Sequence, residues 1–178
     1  MNIIDDYSNI KKDKEGSWSL THKKYADQIS ELIFNIVGYN NIICDATAGI
    51  GGNTISFCKY FKTIIALEKN KSRYELLKDN IKLFNLTNIN IYNDSCLNFI
   101  NNNYDVFFFD PPWGGYDYKK SKQLSLNLDD IKLCDILNIV KKNSKLCVFK
   151  LPSNYNIHEF SNYQYKLFNI HNYIILLF

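Results

Sequence analysis

The sequence predicts an α/β fold: a seven-stranded, mostly parallel sheet with helices on both faces. Three observations carry this. Short apolar runs alternate with segments of helical spacing, the pattern of successive strand–helix units. The strand-like runs are apolar at nearly every position, as in strands covered on both sides. The last two runs are joined only through His171-Asn172, too short for a parallel crossover, so that pair must be antiparallel. With 178 residues, 46% of them hydrophobic, the chain suits one core and is neither disordered nor fibrous.

Taken in order, the first twenty residues are polar and irregular. Thr21 can cap a helix over residues 22–37, where Ala26, Ile29, Ile33 and Val37 fall at helical spacing. "NIICDATAGIGG" reads as a strand ending in a small-residue loop, with a helix over 53–61. "TIIALEKN" is a second strand ending in an acid, followed by a helix over 71–84. "NINIYND" and "YDVFFFD" are strands three and four, 128–140 a further helix, and "KLCVFKLP" strand five. "QYKLFNI" and "NYIILLF" form the closing pair. Residues 1–37 are expected to be a short N-terminal extension and first helix that cover the site, and 38–178 a catalytic domain.

Charge and composition exclude several classes. The net charge of +3 permits a polyanionic partner without requiring one. Arg73 is the only arginine, so bidentate arginine readout of bases is essentially absent. The five cysteines are odd in number, lack C-x-x-C spacing and mostly lie in apolar segments, as reduced core residues do. The three histidines show no ligand spacing, so no metal site is expected. "MNIIDDYSNI" has early acids and no apolar stretch, unlike a signal peptide, and no run is long enough to span a bilayer. The expectation is an intracellular protein, cytoplasmic or nuclear, monomeric, without membrane partner. The Asn-, Lys- and Ile-rich usage suggests an AT-rich viral or protist genome.

In an open parallel sheet, ligands bind beyond the carboxyl ends of the strands, and the informative residues fall there. Strand one runs into Asp45-Ala46-Thr47-Ala48-Gly49-Ile50-Gly51-Gly52-Asn53-Thr54. Its glycines allow close backbone approach to a ligand at a helix start; an ordinary tight turn reads equally well. The run is neither G-x-G-x-x-G nor a P-loop. Glu68 ends strand two, where a carboxylate can accept both hydroxyls of a ribose. Asn93-Asp94-Ser95 ends strand three, suited to an adenine or, equally, to an Asx-turn.

Strand four ends in "DPPWGG". Two prolines cannot extend a strand, so Asp110 sits where the chain leaves the sheet and the prolines stiffen the backbone beyond it. This resembles the signature of Rossmann-like class I methyltransferases that use S-adenosylmethionine to methylate exocyclic amines of bases. Such an amine is a poor nucleophile because its lone pair is delocalised. The Asp110 side chain and the Pro111 carbonyl can accept its two N–H bonds and aim the nitrogen, while Trp113 offers a stacking face.

"GIGGNTISF", "DPPWGGYDY" and "VFKLPSN" together resemble the RNA-cap guanine-N2 methyltransferases, the trimethylguanosine synthase family. That family's pattern is D-x-x-x-G-x-GGNTIQFA, then S-PPWGGPDY, then Y-F-L-P-x-N, with K-x-D-x-E-G-W-F-S-V-T-P-E upstream. Residues 11–23 match the upstream stretch, and the resemblance spans roughly residues 11–154. It implies a 7-methylguanosine-capped RNA or cap nucleotide as substrate, methylated at N2 to the 2,7-dimethyl or 2,2,7-trimethyl form. Trp113, Lys11, Trp18, Tyr116 and Asn154 are the implied substrate contacts, Lys11 meeting the cap phosphates unless it is a solvated surface charge. S-adenosylmethionine is implied at Asp45, Ala46, Gly49, Gly51, Asn53, Thr54, Glu68, Asp94, Ser95 and Thr21. Asp110, Pro111 and Trp113 would be the catalytic set, without metal.

The sequence departs from the family at four points. Asp110 replaces the usual serine, which also resembles enzymes acting on adenine N6 or on guanine N2 of ribosomal RNA. Trp18 is offset by one from the family tryptophan, Ser153 replaces an arginine, and the extension is short for a complete lid. A base-amino methyltransferase of structured RNA or DNA is therefore the second reading, and a non-catalytic partner subunit the third.

Overall fold

The computed structural model describes residues 7–178, apart from the side chain of Tyr116; the first six residues and the expected substrate contact at Tyr116 lie outside the described part. Along the chain run α1 (Gly16–Ser19), α2 (Lys23–Val37), β1 (Ile42–Asp45), α3 (Gly52–Tyr60), β2 (Thr63–Leu67), α4 (Lys71–Leu83), β3 (Ile89–Tyr92) and β4 (Val106–Phe109). The two-residue strands β5 (Asn127–Leu128) and β6 (Ile131–Lys132) come next, then α5 (Leu133–Val140), β7 (Leu146–Pro152), β8 (Lys166–Ile170) and β9 (Tyr173–Leu177).

Seven strands form one sheet in the order β3-β2-β1-β4-β7-β9-β8. All neighbours are parallel except that β9 lies antiparallel between β7 and β8. This is the predicted Rossmann-like plan. The order reverses between β1 and β4, so the carboxyl ends of those two strands open the crevice where ligands bind.

Side chains alternate across the pleat and supply two cores. Val106 and Phe108 face Ile29 and Ile33 of α2, Ile55 and Phe57 of α3, and Leu77 of α4. Phe107 and Phe109 face the opposite way, toward Leu133, Ile136, Leu137 and Val140 of α5. A four-residue apolar run such as Val106–Phe109 is thus what a strand covered on both faces requires. All five cysteines are free, with Cys44, Cys96 and Cys147 buried.

Two expected boundaries are corrected. α2 starts at Lys23 with His22 in the cap position, no side chain caps it, and the Thr21 hydroxyl is instead buried without a partner. The helix expected from residue 128 starts at Leu133, because residues 127–132 form a hairpin instead. Asp129 and Asp130 turn that hairpin with φ of 48° and 65°. Aspartate tolerates this left-handed region, and a two-residue turn of this hand matches strand twist.

Residues 7–22 contain more structure than their polarity suggested. The buried Asn80 of α4 ties them down: its side chain accepts from the Lys11 amide at 2.8 Å and donates to the Lys11 and Ile50 carbonyls, both at 2.9 Å. Tyr7 donates to the Gly52 carbonyl at 2.8 Å. Gly52 is needed for this crossing, since a Cβ there would lie 2.8 Å from Leu20 Cδ1 and 3.1 Å from the Thr21 backbone. The segment therefore crosses the start of α3 and walls one side of the crevice.

Candidate active site

The crevice at the strand carboxyl ends is a cavity of about 380 Å³. Ala46, Gly49, Asn53, Glu68, Asp94, Asp110, Pro111 and Trp113 line it, with Trp18 and Thr21 from the N-terminal wall. Ten of the residues singled out from sequence thus share one space, although residues 18 and 113 are far apart in the chain.

Its floor carries buried carboxylates. Asp45, 1% exposed, lies beneath the lining, its carboxylate accepting from Thr54 Oγ1 at 2.5 Å. Burial pushes its pKa up to about 7, opposed by the Thr54 hydroxyl and the Thr47 amide and reinforced by the charges of Asp110 and Glu68. Glu68 accepts from the amides of Gly49 at 2.9 Å and Asn70 at 2.7 Å. Burial raises its carboxyl above the ordinary value and those two amides oppose the rise. Glu68 thus braces the glycine turn while still lining the cavity; Gly49, at φ 56°, has open space where a Cβ would stand. Asp94 accepts from the Ser95 amide at 2.7 Å and from Asn98 at 2.8 Å.

The other end of the cavity is built around Asp110. Its amide donates to Thr47 Oγ1 at 2.7 Å, fixing the exit of β4 against the end of β1. Its Oδ2 accepts from Lys150 Nζ at 2.6 Å and Asn53 Nδ2 at 3.3 Å. Burial raises the Asp110 carboxyl above its ordinary value; the Lys150 ammonium and the Asn53 amide pull against that. The Lys150 side chain is 3% exposed, and its ammonium lies 4.9 Å from the Trp113 ring centre and 4.2 Å from that of Tyr173. Trp113 meets Tyr118 and Tyr173 edge-on, at 5.1 and 5.7 Å. Burial pushes the Tyr173 phenol up to about 12, with the Asp110 charge adding to it.

Six expected contacts do not line the cavity: the paired Asp45 and Thr54, and Gly51, Ser95, Lys11 and Asn154. Gly51 packs toward Leu77 with φ 105°, serving the turn rather than a ligand. Ser95 Oγ donates to Asp129 at 2.8 Å. Lys11 Nζ is exposed and pairs with Asp79 of α4 at 2.8 Å, so the structure does not bring it to a phosphate bound in the crevice. Asn154 Nδ2 donates to the carbonyls of Tyr118 and Ser121, at 2.9 and 2.8 Å, and so supports the loop carrying Tyr118.

Sequence reasoning missed Lys150, Tyr173, Thr47 and His171, all of which line the cavity. Lys150 did carry a signal: it is the one charged residue in a strand buried at every position. Tyr173 and His171 carried none, because their place depends on where the final hairpin lies in the sheet.

Among the described residues no group of His, Cys, Asp and Glu could hold a metal ion, and no helix is long and apolar enough to cross a membrane. An uncharacterized protein of Acanthamoeba polyphaga mimivirus is 40% identical over 141 residues, 75% of this chain and 54% of its own length. The chain thus spans about half of that relative. Trimethylguanosine synthase of Schizosaccharomyces pombe is 27% identical, with 93% of this chain and 74% of that protein aligned. The solved precorrin-6y C5,15-methyltransferase of Geobacter metallireducens shares the fold with a TM-score of 0.68 at 15% identity, covering 97% and 94% of the two chains. Such a likeness establishes the methyltransferase fold and leaves the substrate to the site. The family model described as RNA cap guanine-N2 methyltransferase matches residues 40–177, the stretch that holds the glycine turn, Glu68 and Asp110–Trp113. The chain belongs to the RNA cap guanine-N2 methyltransferase family.

Proposed function

We propose that this enzyme transfers methyl from S-adenosylmethionine to N2 of a 7-methylguanosine RNA cap, giving 2,7-dimethyl- or 2,2,7-trimethylguanosine. The observation that carries this reading is that Asp110, Pro111 and Trp113 line one cavity.

The cavity fits the cofactor. Thr21 Oγ1 and Asn53 Oδ1 are buried with no partner, each needing a donor or acceptor that a ligand can supply. The open face of Gly49 admits close approach. Glu68 keeps unused lone pairs for ribose hydroxyls, since a carboxylate offers about four acceptor sites. Asp94 borders the adenine end. Residues 15–21 act as the wall that closes this end.

The bound cofactor supplies an activated methyl on a sulfonium, itself a good leaving group. The protein's part is orientation. Asp110 and Pro111 accept the two N–H bonds of the amino group, which favours a more tetrahedral nitrogen and aims its lone pair. Lys150 keeps the carboxylate charged and therefore accepting. Trp113 holds the purine ring by stacking. Proton loss comes after transfer, so Asp110 orients and need not deprotonate. Capped RNA is the partner, and the enzyme works as a monomer in cytoplasm or nucleus.

Asp110 in place of serine supports a second reading, a base-amino methyltransferase acting on guanine N2 or adenine N6 of structured RNA or DNA. Mass spectrometry of 7-methylguanosine-capped analogue, guanosine triphosphate and an adenine-containing oligonucleotide after incubation separates the two. Methylation of the 7-methylated cap alone supports the first reading. Methylation of the oligonucleotide alone replaces it with the second.

A further inference from the structure

The turn between β8 and β9 brings a second aromatic surface to the mouth of the same cavity. His171, exposed and held at φ 55°, stacks on the half-buried Tyr25 of α2 with ring centres 4.5 Å apart and planes 5° apart. Both rings meet Tyr173 edge-on at 6.0 Å, and Tyr173 meets Trp113 at 5.7 Å. One continuous aromatic path therefore runs from the base-stacking tryptophan to the cavity rim. Among the described residues no ring stacks on the second face of His171. Methyl transfer to a base on Trp113 makes no use of this pair.

We infer that the His171–Tyr25 stack binds a second nucleobase, that of the nucleotide next to the target guanosine. The inference rests on the cap reading, in which two bases are joined through phosphates. Stacked protein rings present a flat π-face, and histidine is among the side chains on which splayed bases stack. Cations flank the path: Lys24 Nζ lies 6.0 Å from the Tyr25 ring and Lys119 Nζ 5.8 Å from the Tyr118 ring. Both lysines are exposed and can neutralise the phosphates between the bases. The only arginine, Arg73, is engaged by Glu15, so no arginine reads this base by hydrogen bonding. Stacking on a ring face is tolerant of base identity, so the platform is expected to take any base.

The test compares KM for 7-methylguanosine triphosphate with KM for the cap dinucleotides carrying adenosine or guanosine as second nucleoside. The dinucleotides are expected to have the lower KM, by about 5- to 150-fold, with little difference between them. His171→Asn removes the ring and keeps a residue that accepts the left-handed backbone; it should bring the mononucleotide-to-dinucleotide KM ratio close to one. Tyr25→Leu, which removes the supporting ring inside a helix, should reduce the same ratio. A ratio near one in the unmodified enzyme, or a ratio unchanged by both variants, overturns the platform. If no capped compound is methylated, the cap reading falls separately. The platform is then judged on equilibrium binding of the dinucleotide GpA against GMP, where His171→Asn must again erase the difference or the inference fails.

Discussion

Lys150→Met is the perturbation that most directly tests how the site is held together. Methionine keeps an unbranched side chain in β7 but leaves the Asp110 carboxylate buried without its cation. The native Nζ–Oδ2 distance is 2.6 Å, with side-chain exposures of 3% for lysine and 17% for aspartate, so solvent screens the pair little. Removing one partner of such a pair costs about 3–5 kcal/mol. For a chain of this size that corresponds to a fall in melting temperature of roughly 6–20 °C. Burial already raises the Asp110 carboxyl and Lys150 is the first force against it, so the variant drives that pKa higher. A larger share of Asp110 then carries a proton and donates where it should accept. The expected loss in kcat/KM is about 100-fold, the scale of a misdirected reacting group, with activity recovering as pH rises. Calorimetry gives the first quantity and a pH–rate profile the second. Asp110→Asn combined with Lys150→Met should regain most of the stability, because no charge remains buried, and none of the activity. A melting temperature within about 2 °C of the original, together with an unchanged pH–rate profile, would refute the reasoning.

The same geometry leads to three further outcomes. Trp113→Ala should raise KM for the base-bearing substrate about 5- to 150-fold through lost stacking, while Trp113→Phe retains most of the affinity in steady-state kinetics. Thr21→Val removes the unpartnered buried hydroxyl; cofactor affinity by titration calorimetry should fall roughly 2- to 12-fold with no loss of cofactor-free stability. Asp45 has its folded-state pKa raised from 3.8 to about 7, so its contribution favours the fold at acid pH and is lost as pH rises from about 4 through about 7. Asp45→Asn should flatten that decline in the melting temperature measured across this range; an equally steep decline in the variant would exclude Asp45 as its source.

The strands and the residues that close them can be read from the chain alone. Apolar runs broken by Asp45, Glu68 and Asp110 are legible because a strand covered on both faces seldom carries polar residues before it leaves the sheet. The Asp110-Pro111-Pro112-Trp113 run is equally legible, since its chemistry sits in consecutive residues. The short hairpin of residues 127–132 is not, because Leu128, Ile131 and Leu133 satisfy helical spacing as well as strand pairing. The partner of Asp110 emerges only when the strands pair in space. Phe109 pairs with Phe149 in the β4–β7 register, so the next residue on each strand, Asp110 and Lys150, must meet, and that register joins positions 40 apart. The same holds for Tyr173 and His171. Their hairpin reaches Trp113 because β9 inserts antiparallel beside β7, a choice made by packing across the whole sheet and written in no local stretch of the chain.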